Sequence, residues 1–547
     1  LQRYLDRLWI MAEHCPFMKH LIRAECADLL EGDIPYFTAR PASQDIWTSR
    51  GECIAEFFPE ASLDIVKDRI TGLNEHDLAQ QLWIIQASLT AVSMEGHTGS
   101  ATRLTPPPTP IVWATPLRLQ SAAQAIGNRL CALALHNEER VGWLGITLTN
   151  NIEWKIMPAE TDFYSGLPGI AFFLAYLGSV TGQAHATQLA QSVARMLKQQ
   201  LETPSRQSTA GIGAFAGWGA QLYLFSHLYS LWREQWLLDA AAQCVEQITP
   251  LIEQDTHLDI ISGAAGCIAA LLSLYNVAPS SDLMASALRC GEHLVTSLDL
   301  SADSDPVTTL RQKGVLTGYA HGASGMALSL LQLASLSREP SFQQAALVLL
   351  AFEHSLFSAQ HQNWPDLRDI SKYFPGDEAQ RFMTAWCHGA PGIGMSRLAM
   401  LNYLDNSKIR QEIDAALHTT LKAGFGRNHS LCHGDLGNLE LLLTATRHPG
   451  MAHYEPLLTR HTTRLLASGE TSGWITGIPL GVETPGMMVG LSGIGYQLLR
   501  LSAPERVPNV LLLSPPVITE LGQNSPIHKV RRRSFSPYPF LGAPSEV

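Results

Sequence analysis

A short glycine signature recurs through most of this chain and limits the folds open to it. Gly-x-x-Gly followed at once by a strongly apolar run occurs at Gly166–Gly169, Gly263–Gly266, Gly322–Gly325, Gly389–Gly392, Gly434–Gly437 and Gly490–Gly493. A seventh copy, Ala214-Phe-Ala-Gly217, reads as one that has lost its first glycine. Spacings of roughly 45 to 67 residues suit one helical hairpin per unit, as repeat architectures require. The runs after the glycines, such as Ile170 to Leu177 and Met326 to Leu333, are apolar on nearly every side and predict buried helices. Ala186 to Leu201 and Leu237 to Ile248 are amphipathic and predict outer ones. Glycine at the start of each inner helix permits a tight turn and close backbone packing. Such hairpins can close on themselves, so the expected class is all-α, an α/α toroid of about seven inner and seven outer helices. Closure would bring every glycine turn to the same rim.

Three of these turns carry residues with chemistry. Trp386 to Gly394 reads Trp-Cys-His-Gly-Ala-Pro-Gly-Ile-Gly, Leu431 to Gly437 reads Leu-Cys-His-Gly-Asp-Leu-Gly, and Ala320 to Gly325 reads Ala-His-Gly-Ala-Ser-Gly. Cys and His are the donors a borderline-soft ion such as zinc prefers. A Cys-His pair at one turn with a Cys at another could fill three of four tetrahedral positions. Two plainer alternatives exist. Cys387 and Cys432 could simply fill space, with His388 and His433 capping helices, or both histidines could join them in a closed structural site with no vacancy. His321 follows Ala320 rather than a cysteine, so it is a poor ligand but titrates near neutral pH. Asp259, four residues before Gly263, enters another rim turn, where a lone carboxylate is ordinarily a cap.

Bulk properties exclude some classes of function. The 547 residues are 46% apolar and 16% charged, the composition of a globular protein. The formal charge of −11 is spread along the chain, which argues against nucleic acid as a main partner. No apolar run is long enough for a membrane span, and no secretory signal pattern opens the chain, so a cytoplasmic location is expected. Of the nine cysteines, only Cys387 and Cys432 are followed directly by a histidine; the rest read as buried small hydrophobes.

The flanks differ from the repeats. Residues 1–95 look helical, with Leu78, Leu82, Ile85 and Leu89 marking a second helical portion and Gly32 to Phe37 interrupting at Pro35. Thr105 to Pro110 lies in a stiff, extended linker assigned to 96–115. The repeats then occupy 116–513. Beyond them, 514–547 is rich in Pro, Ser and Arg, with His528, Lys529 and Arg531 to Arg533, and reads as a disordered basic tail.

The Cys-His-Gly, Ala-His-Gly-x-x-Gly and Asp-x-x-x-Gly elements strongly resemble those of the lanthionine cyclase (LanC-like) family over about residues 116 to 513. The first segment, with Gly32-Asp-Ile-Pro-Tyr-Phe-Thr-Ala-Arg-Pro41, resembles the end of the dehydratase domain that precedes the cyclase in class II (LanM-type) lanthipeptide synthetases. The chain is thus expected to be the carboxy-terminal part of such a synthetase, with an upstream dehydratase domain in the same polypeptide. The resemblance implies zinc held by Cys387, Cys432 and His433, with a fourth position for a substrate cysteine. It also implies His321 as the acid that protonates the α-carbon and Asp259 as an acidic partner that orients or accepts a proton. The implied substrate is a dehydrated ribosomal precursor peptide with its leader, cyclised by thiol addition to dehydroalanine or dehydrobutyrine. Glutathione addition to dehydroamino acids and a non-catalytic, zinc-stabilised scaffold are the alternatives. The stand-alone cyclases of the family often carry a basic residue about one turn before the first zinc cysteine. Met383 stands there in this chain, with Arg381 the nearest substitute.

Overall fold

The computed structural model describes residues 2–94, 112–137, 140–149, 153–202, 211–299, 306–368 and 381–517. The linker segment Thr105 to Pro110 and the basic residues His528 to Arg533 lie outside the described residues. The chain divides into two compact units between Leu82 and Trp83.

The first unit contains α1 (Gln2–His14), α2 (Lys19–Leu30), three short strands and α3 (Ser62–Thr71). The strands β1 (Phe37–Ala39), β2 (Ile46–Thr48) and β3 (Cys53–Ile54) form an antiparallel sheet with Phe37 opposite Thr48 and Ile46 opposite Ile54. Sequence periodicity missed this sheet because strands of two or three residues are too short to display an alternation. Helix α4 (Glu75–Met94) forms as expected, but its Leu78, Leu82, Ile85 and Leu89 are exposed, while Trp83, Ala87, Ala91 and Met94 are buried.

The second unit is the toroid. It opens with α5 (Pro116–Leu133), capped by the Thr115 hydroxyl, which accepts from the Arg118 amide. Two hairpins absent from the sequence reading follow, β4 (Leu135–Asn137) with β5 (Arg140–Gly142), and β6 (Leu144–Thr149) with β7 (Glu153–Pro158). Then inner and outer helices alternate as α6 (Leu167–Thr181), α7 (Ala184–Glu202), α8 (Trp218–Trp232), α9 (Gln235–Ile248), α10 (Ala264–Val277) and α11 (Ser281–Leu298). A short α12 (Pro306–Gln312) precedes α13 (Ala323–Ser337), α14 (Pro340–Ser355), α15 (Ala390–Met400), α16 (Ser407–Ala423), α17 (Asp435–Thr446), α18 (Glu455–Ser472) and α19 (Leu491–Ser502). The inner ring runs α6, α8, α10, α13, α15, α17 and α19, and α19 packs back on α6 to close it. Each inner helix has its outer partner, and for α19 that partner is α5, from the other end of the unit. The all-α toroid with seven inner and seven outer helices is therefore realised among the described residues.

Burial follows the pattern of the sequence. Helix α6 is buried from Leu167 through Gly178, whereas α7 buries Ala186, Leu189, Ala190, Val193, Ala194 and Leu197, one stripe of an amphipathic helix. The glycine signature has a steric cause. At all six full copies, a Cβ on the second glycine would lie 1.8–2.4 Å from the carbonyl oxygen six residues earlier. The chain entering each inner helix packs on that helix's own first turn, and only a hydrogen leaves room. The seventh copy is registered differently from the sequence reading. Gly217 itself caps α8, so it is the first glycine, and Ala220 stands where the second would be.

The rim segments bond to one another around the ring. Phe163 N donates to Phe215 O at 2.7 Å, Phe215 N to Ile261 O at 3.1 Å, and Ile260 N to Ala320 O at 3.1 Å. Cys387 N donates to Cys432 O at 3.3 Å, Cys432 N to Met488 O at 2.8 Å, and Met488 N to Tyr164 O at 2.8 Å. Between Ala320 and Cys387 the backbones pack closely instead, since a Cβ on Gly318 would lie 2.9 Å from Cys387 O. This circle of contacts lets a local sequence motif specify a shared site. On the far side of Trp386, whose Nε1 donates to Leu511 O at 2.9 Å, the buried segment Val510 to Leu513 fills the ring. Ser514 and Pro516 remain tied to inner helices through their carbonyls, which accept from Tyr223 and Asn276.

Within the ring, His227 is fully buried, with Nδ1 2.7 Å from the Tyr176 hydroxyl. Burial pushes its pKa down to about 3. Unfolding restores the ordinary value, so below about pH 6.5 the unfolded chain takes a proton that the folded chain refuses. Stability is full above that pH and falls as pH drops toward 3, by about 1.4 kcal/mol per pH unit. A His227→Phe chain should therefore lose about 2 kcal/mol less than the parent between pH 7 and pH 5. Urea midpoints at the two pH values check this.

Candidate metal centre and its cavity

The position two residues before the first glycine of each copy is occupied around the ring by Tyr164, Phe215, Ile261, Ala320, Cys387, Cys432 and Met488. Five of these, Tyr164, Ile261, Ala320, Cys387 and Cys432, line a single cavity of about 210 Å³. The wall also includes His321, His388 and His433 from the next position, Met383 and Arg368, with Trp386 beside the cysteines. Four of the five expected site residues, Cys387, Cys432, His433 and His321, are thus brought together. The fifth, Asp259, sits behind His321 and does not line the cavity.

Gly389 shows how local backbone aims the first cysteine. Its φ of +92° is a left-handed conformation, and a Cβ there would lie 1.8 Å from Met383 O. Asn363 Oδ1 accepts from the amide of Ala390 at 2.8 Å, and Asn363 Nδ2 donates to Met383 O at 3.0 Å. One buried amide therefore clamps both sides of the turn that carries Cys387.

The side chains of Cys387, Cys432 and Tyr164 line the cavity together. The interaction of the two thiols lowers the pKa of Cys387 and raises that of Cys432, so the pair favours a single thiolate. His433 Nε2 lies 3.0 Å from Gly477 O and must carry the proton it donates there, which leaves the Nδ1 lone pair free. Burial lowers the pKa of His433, keeping the ring neutral as a ligand must be.

Two sulfurs and an imidazole nitrogen are a zinc-type donor set. Among the described residues, however, no three His, Cys, Asp or Glu side chains stand close enough together to hold an ion as they are. The donors converge on one cavity without closing on a point. The convergence is set by backbone hydrogen bonds between the rim turns. The donor set fits zinc; the closed geometry is not present.

Gly477 is a participant that no sequence pattern singled out. Its amide donates to Val489 O at 2.7 Å and its carbonyl orients His433. The preceding segment is clamped by His429, whose amide donates to Ile475 O at 2.8 Å and whose Nδ1 accepts from Ile475 N at 2.9 Å. A Cβ on Gly477 would lie 2.8 Å from Ser430 Oγ and 2.9 Å from His433 Nε2. Gly477→Ala should displace the imidazole and weaken zinc binding by about 10- to 100-fold, the usual effect of losing a ligand's outer partner. Competition against a chromophoric chelator measures it.

Elsewhere on the cavity, His321 Nδ1 lies 2.6 Å from Asp259 Oδ2, and Asp259 Oδ1 accepts from Ser262 N at 2.7 Å. The carboxylate fixes the imidazole with Nδ1 protonated and Nε2 free. Asp259 is nearly buried, while His321 remains partly exposed. His388 stacks on His321 with ring centroids 5.8 Å apart, and its Nδ1 is 3.9 Å from Asp366. Among the described residues neither ring nitrogen of His388 has a hydrogen-bond partner, and burial takes its pKa down to about 4.

Arg381, the substitute the sequence suggested for a basic residue, is exposed and absent from the wall. It contributes only its backbone, accepting from Asp366 N at 2.6 Å. The guanidinium on the wall belongs to Arg368, whose Nη2 is 3.7 Å from Met383 Sδ. Motif reading missed it because it lies outside every glycine turn.

A family model described as lanthionine synthetase C-like protein matches residues 157–512. The chain is 21% identical over 509 residues to the lacticin 481/lactococcin biosynthesis protein LcnDR2 of Lactococcus lactis subsp. lactis, an alignment covering 88% of this chain and 50% of that protein. It therefore spans about half the length of this curated relative. Among solved structures, nisin cyclase superposes with a TM-score of 0.51 at 17% identity, covering 65% of this chain and 92% of the other. At that identity the likeness speaks to fold. No described helix is long and apolar enough to cross a membrane.

Proposed function

Because the chain belongs to the lanthionine synthetase C-like family, we propose that its cavity closes thioether rings in a dehydrated peptide, with zinc held by Cys387, Cys432 and His433. The observation that carries this reading is the backbone contact between Cys387 and Cys432, which sets two Cys-His turns side by side on the cavity that His321, paired with Asp259, also lines. When bound, zinc would lower the pKa of a substrate thiol so that it reacts as a thiolate at neutral pH.

The chain's own residues supply the rest. The substrate sulfur forms a bond to the β-carbon of dehydroalanine or dehydrobutyrine. The π pair of the double bond moves onto the α-carbon and its carbonyl oxygen. His321, with Nε2 free, takes the thiol proton and returns it to the α-carbon, so no proton is gained or lost overall. Both oxygens of Asp259 are engaged, one by His321 and one by Ser262 N. Its role is to orient His321 and stabilise its cation, not to accept the thiol proton directly. The substrate must arrive already dehydrated, so a dehydratase acting on Ser and Thr of a ribosomal precursor peptide precedes this step.

The test is incubation of the full chain and zinc with a synthetic peptide containing one dehydroalanine and one cysteine. A product of unchanged mass that has lost its alkylatable thiol, formed only with zinc, supports the assignment. A thiol that stays alkylatable overturns it. With glutathione present, a mass gain of one glutathione would mark intermolecular addition, and neither change would leave a scaffold.

A further inference from the structure

The addition proposed above puts negative charge on a carbonyl oxygen, and that oxygen needs a donor. Among the described residues on the cavity wall, Arg368 is the only Lys or Arg. Its placement is tightly determined. Arg368 N donates to Asp366 Oδ1 at 3.0 Å, Nε lies 3.1 Å from both carboxylate oxygens, and Nη2 donates to Oδ2 at 2.7 Å. The Asp366 side chain is itself fully buried, whereas that of Arg368 is 44% exposed.

The pair also stabilises the fold, because the Asp366 carboxylate is buried and the guanidinium compensates its charge. The guanidinium has also not spent all its donors. Nη1 has no partner among the described residues, while Nε and Nη2 are held by Asp366. A cation fixed on the cavity wall before reaction, with a donor left over, is the arrangement that stabilises developing charge without reorganisation.

Resting on the cyclase reading, we propose that Arg368 is a catalytic residue whose guanidinium donates to the carbonyl oxygen of the dehydroamino acid, with Asp366 as its positioning residue. As sulfur bonds to the β-carbon and the π pair reaches that oxygen, the hydrogen bond from Arg368 strengthens. It weakens again when the α-carbon is protonated and the carbonyl re-forms. The guanidinium keeps its protons throughout.

The experiment compares the parent chain with Arg368→Met, Arg368→Lys and Asp366→Asn, using the peptide with one dehydroalanine and one cysteine. For Arg368→Met, kcat should fall by about 10²- to 10³-fold, as when one oxyanion donor is removed. Zinc affinity and KM should stay at parental values, while the melting temperature should fall because the buried Asp366 carboxylate loses its counter-charge. Arg368→Lys should recover part of the rate, since it restores charge without the planar fork. Asp366→Asn should lower kcat less than Arg368→Met.

A second readout needs neither zinc nor turnover. A peptide with alanine replacing its cysteine, and an isotopically labelled dehydroalanine carbonyl, is bound to zinc-free protein. Its infrared carbonyl band should move to lower frequency with the parent and stay put with Arg368→Met. An unmoved band with the parent overturns the assignment, as does Arg368→Met cyclising at the parental rate or losing zinc in step with activity. A parent that moves the band yet closes no ring supports the contact and overturns the cyclase reading instead.

Discussion

A Cys432→Ala chain should bind zinc more than about 100-fold more weakly than the parent and lose ring closure with it, since removal of a ligand exceeds the 10- to 100-fold cost of removing an outer partner. The effect on rate has a chemical origin. A free cysteine thiol with a pKa of about 8.5 is only about 3% thiolate at pH 7, so substrate sulfur left unactivated is mostly the wrong species. Position would be lost along with activation, because Cys432 lines the same cavity as His433 and His321. The fold should survive, since the rim ladder uses the backbone of Cys432, not its sulfur. Zinc content by metal analysis, melting temperature, and the rate of thiol loss from a dehydroalanine peptide together check the prediction. A variant that keeps zinc and parental turnover would remove Cys432 from the site.

Asp259→Asn should have an effect of similar size by a different route. Asparagine can offer its amide NH₂ to His321 Nδ1, which turns the imidazole to the tautomer that carries its proton on Nε2. That nitrogen then cannot accept a thiol proton, and the cation that would form on His321 loses its counter-charge. The expected fall in kcat is about 10²- to 10⁴-fold, spanning ordinary acid–base contributions and the loss of a carboxylate that orients a catalytic histidine. KM and zinc affinity should not change, because Asp259 neither lines the cavity nor belongs to the donor set. His321→Ala should be no worse than the double variant, as the two act as one unit. Additive losses would show that Asp259 works independently of His321.

Much of the fold was legible because its cause is local. A second glycine is needed at each turn where the carbonyl six residues earlier packs against the helix start, and that requirement recurs in the sequence at Gly169, Gly266, Gly325, Gly392, Gly437 and Gly493. The buried runs that follow are apolar on all sides for the same kind of reason, since every face of an inner helix meets protein. Elements without a repeating cause were missed. The sheet of Phe37 to Ile54 and the hairpins of Leu135 to Pro158 depend on pairing across strands of two to six residues, too short for periodicity to register. The seventh turn was misregistered because Ala220 replaces the glycine that marks the others.

The site divides in the same way. Sequence by itself determined the cysteines and histidines of the Cys-His-Gly and Ala-His-Gly turns and their common place on a rim, because each lies at a set distance before a glycine and the repeat carries that position around the ring. Tyr164 obeys the same rule and could have been found by it. Only the tertiary structure decided that Arg368 and Asp366 reach the wall from outside any turn, that Asp259 stands behind His321, and that the Gly477 carbonyl selects the free nitrogen of His433. Those relations join segments that no repeat places in register. They exist because the ring closes and its rim backbones hydrogen-bond to their neighbours, a condition that belongs to the whole chain and to no stretch of it.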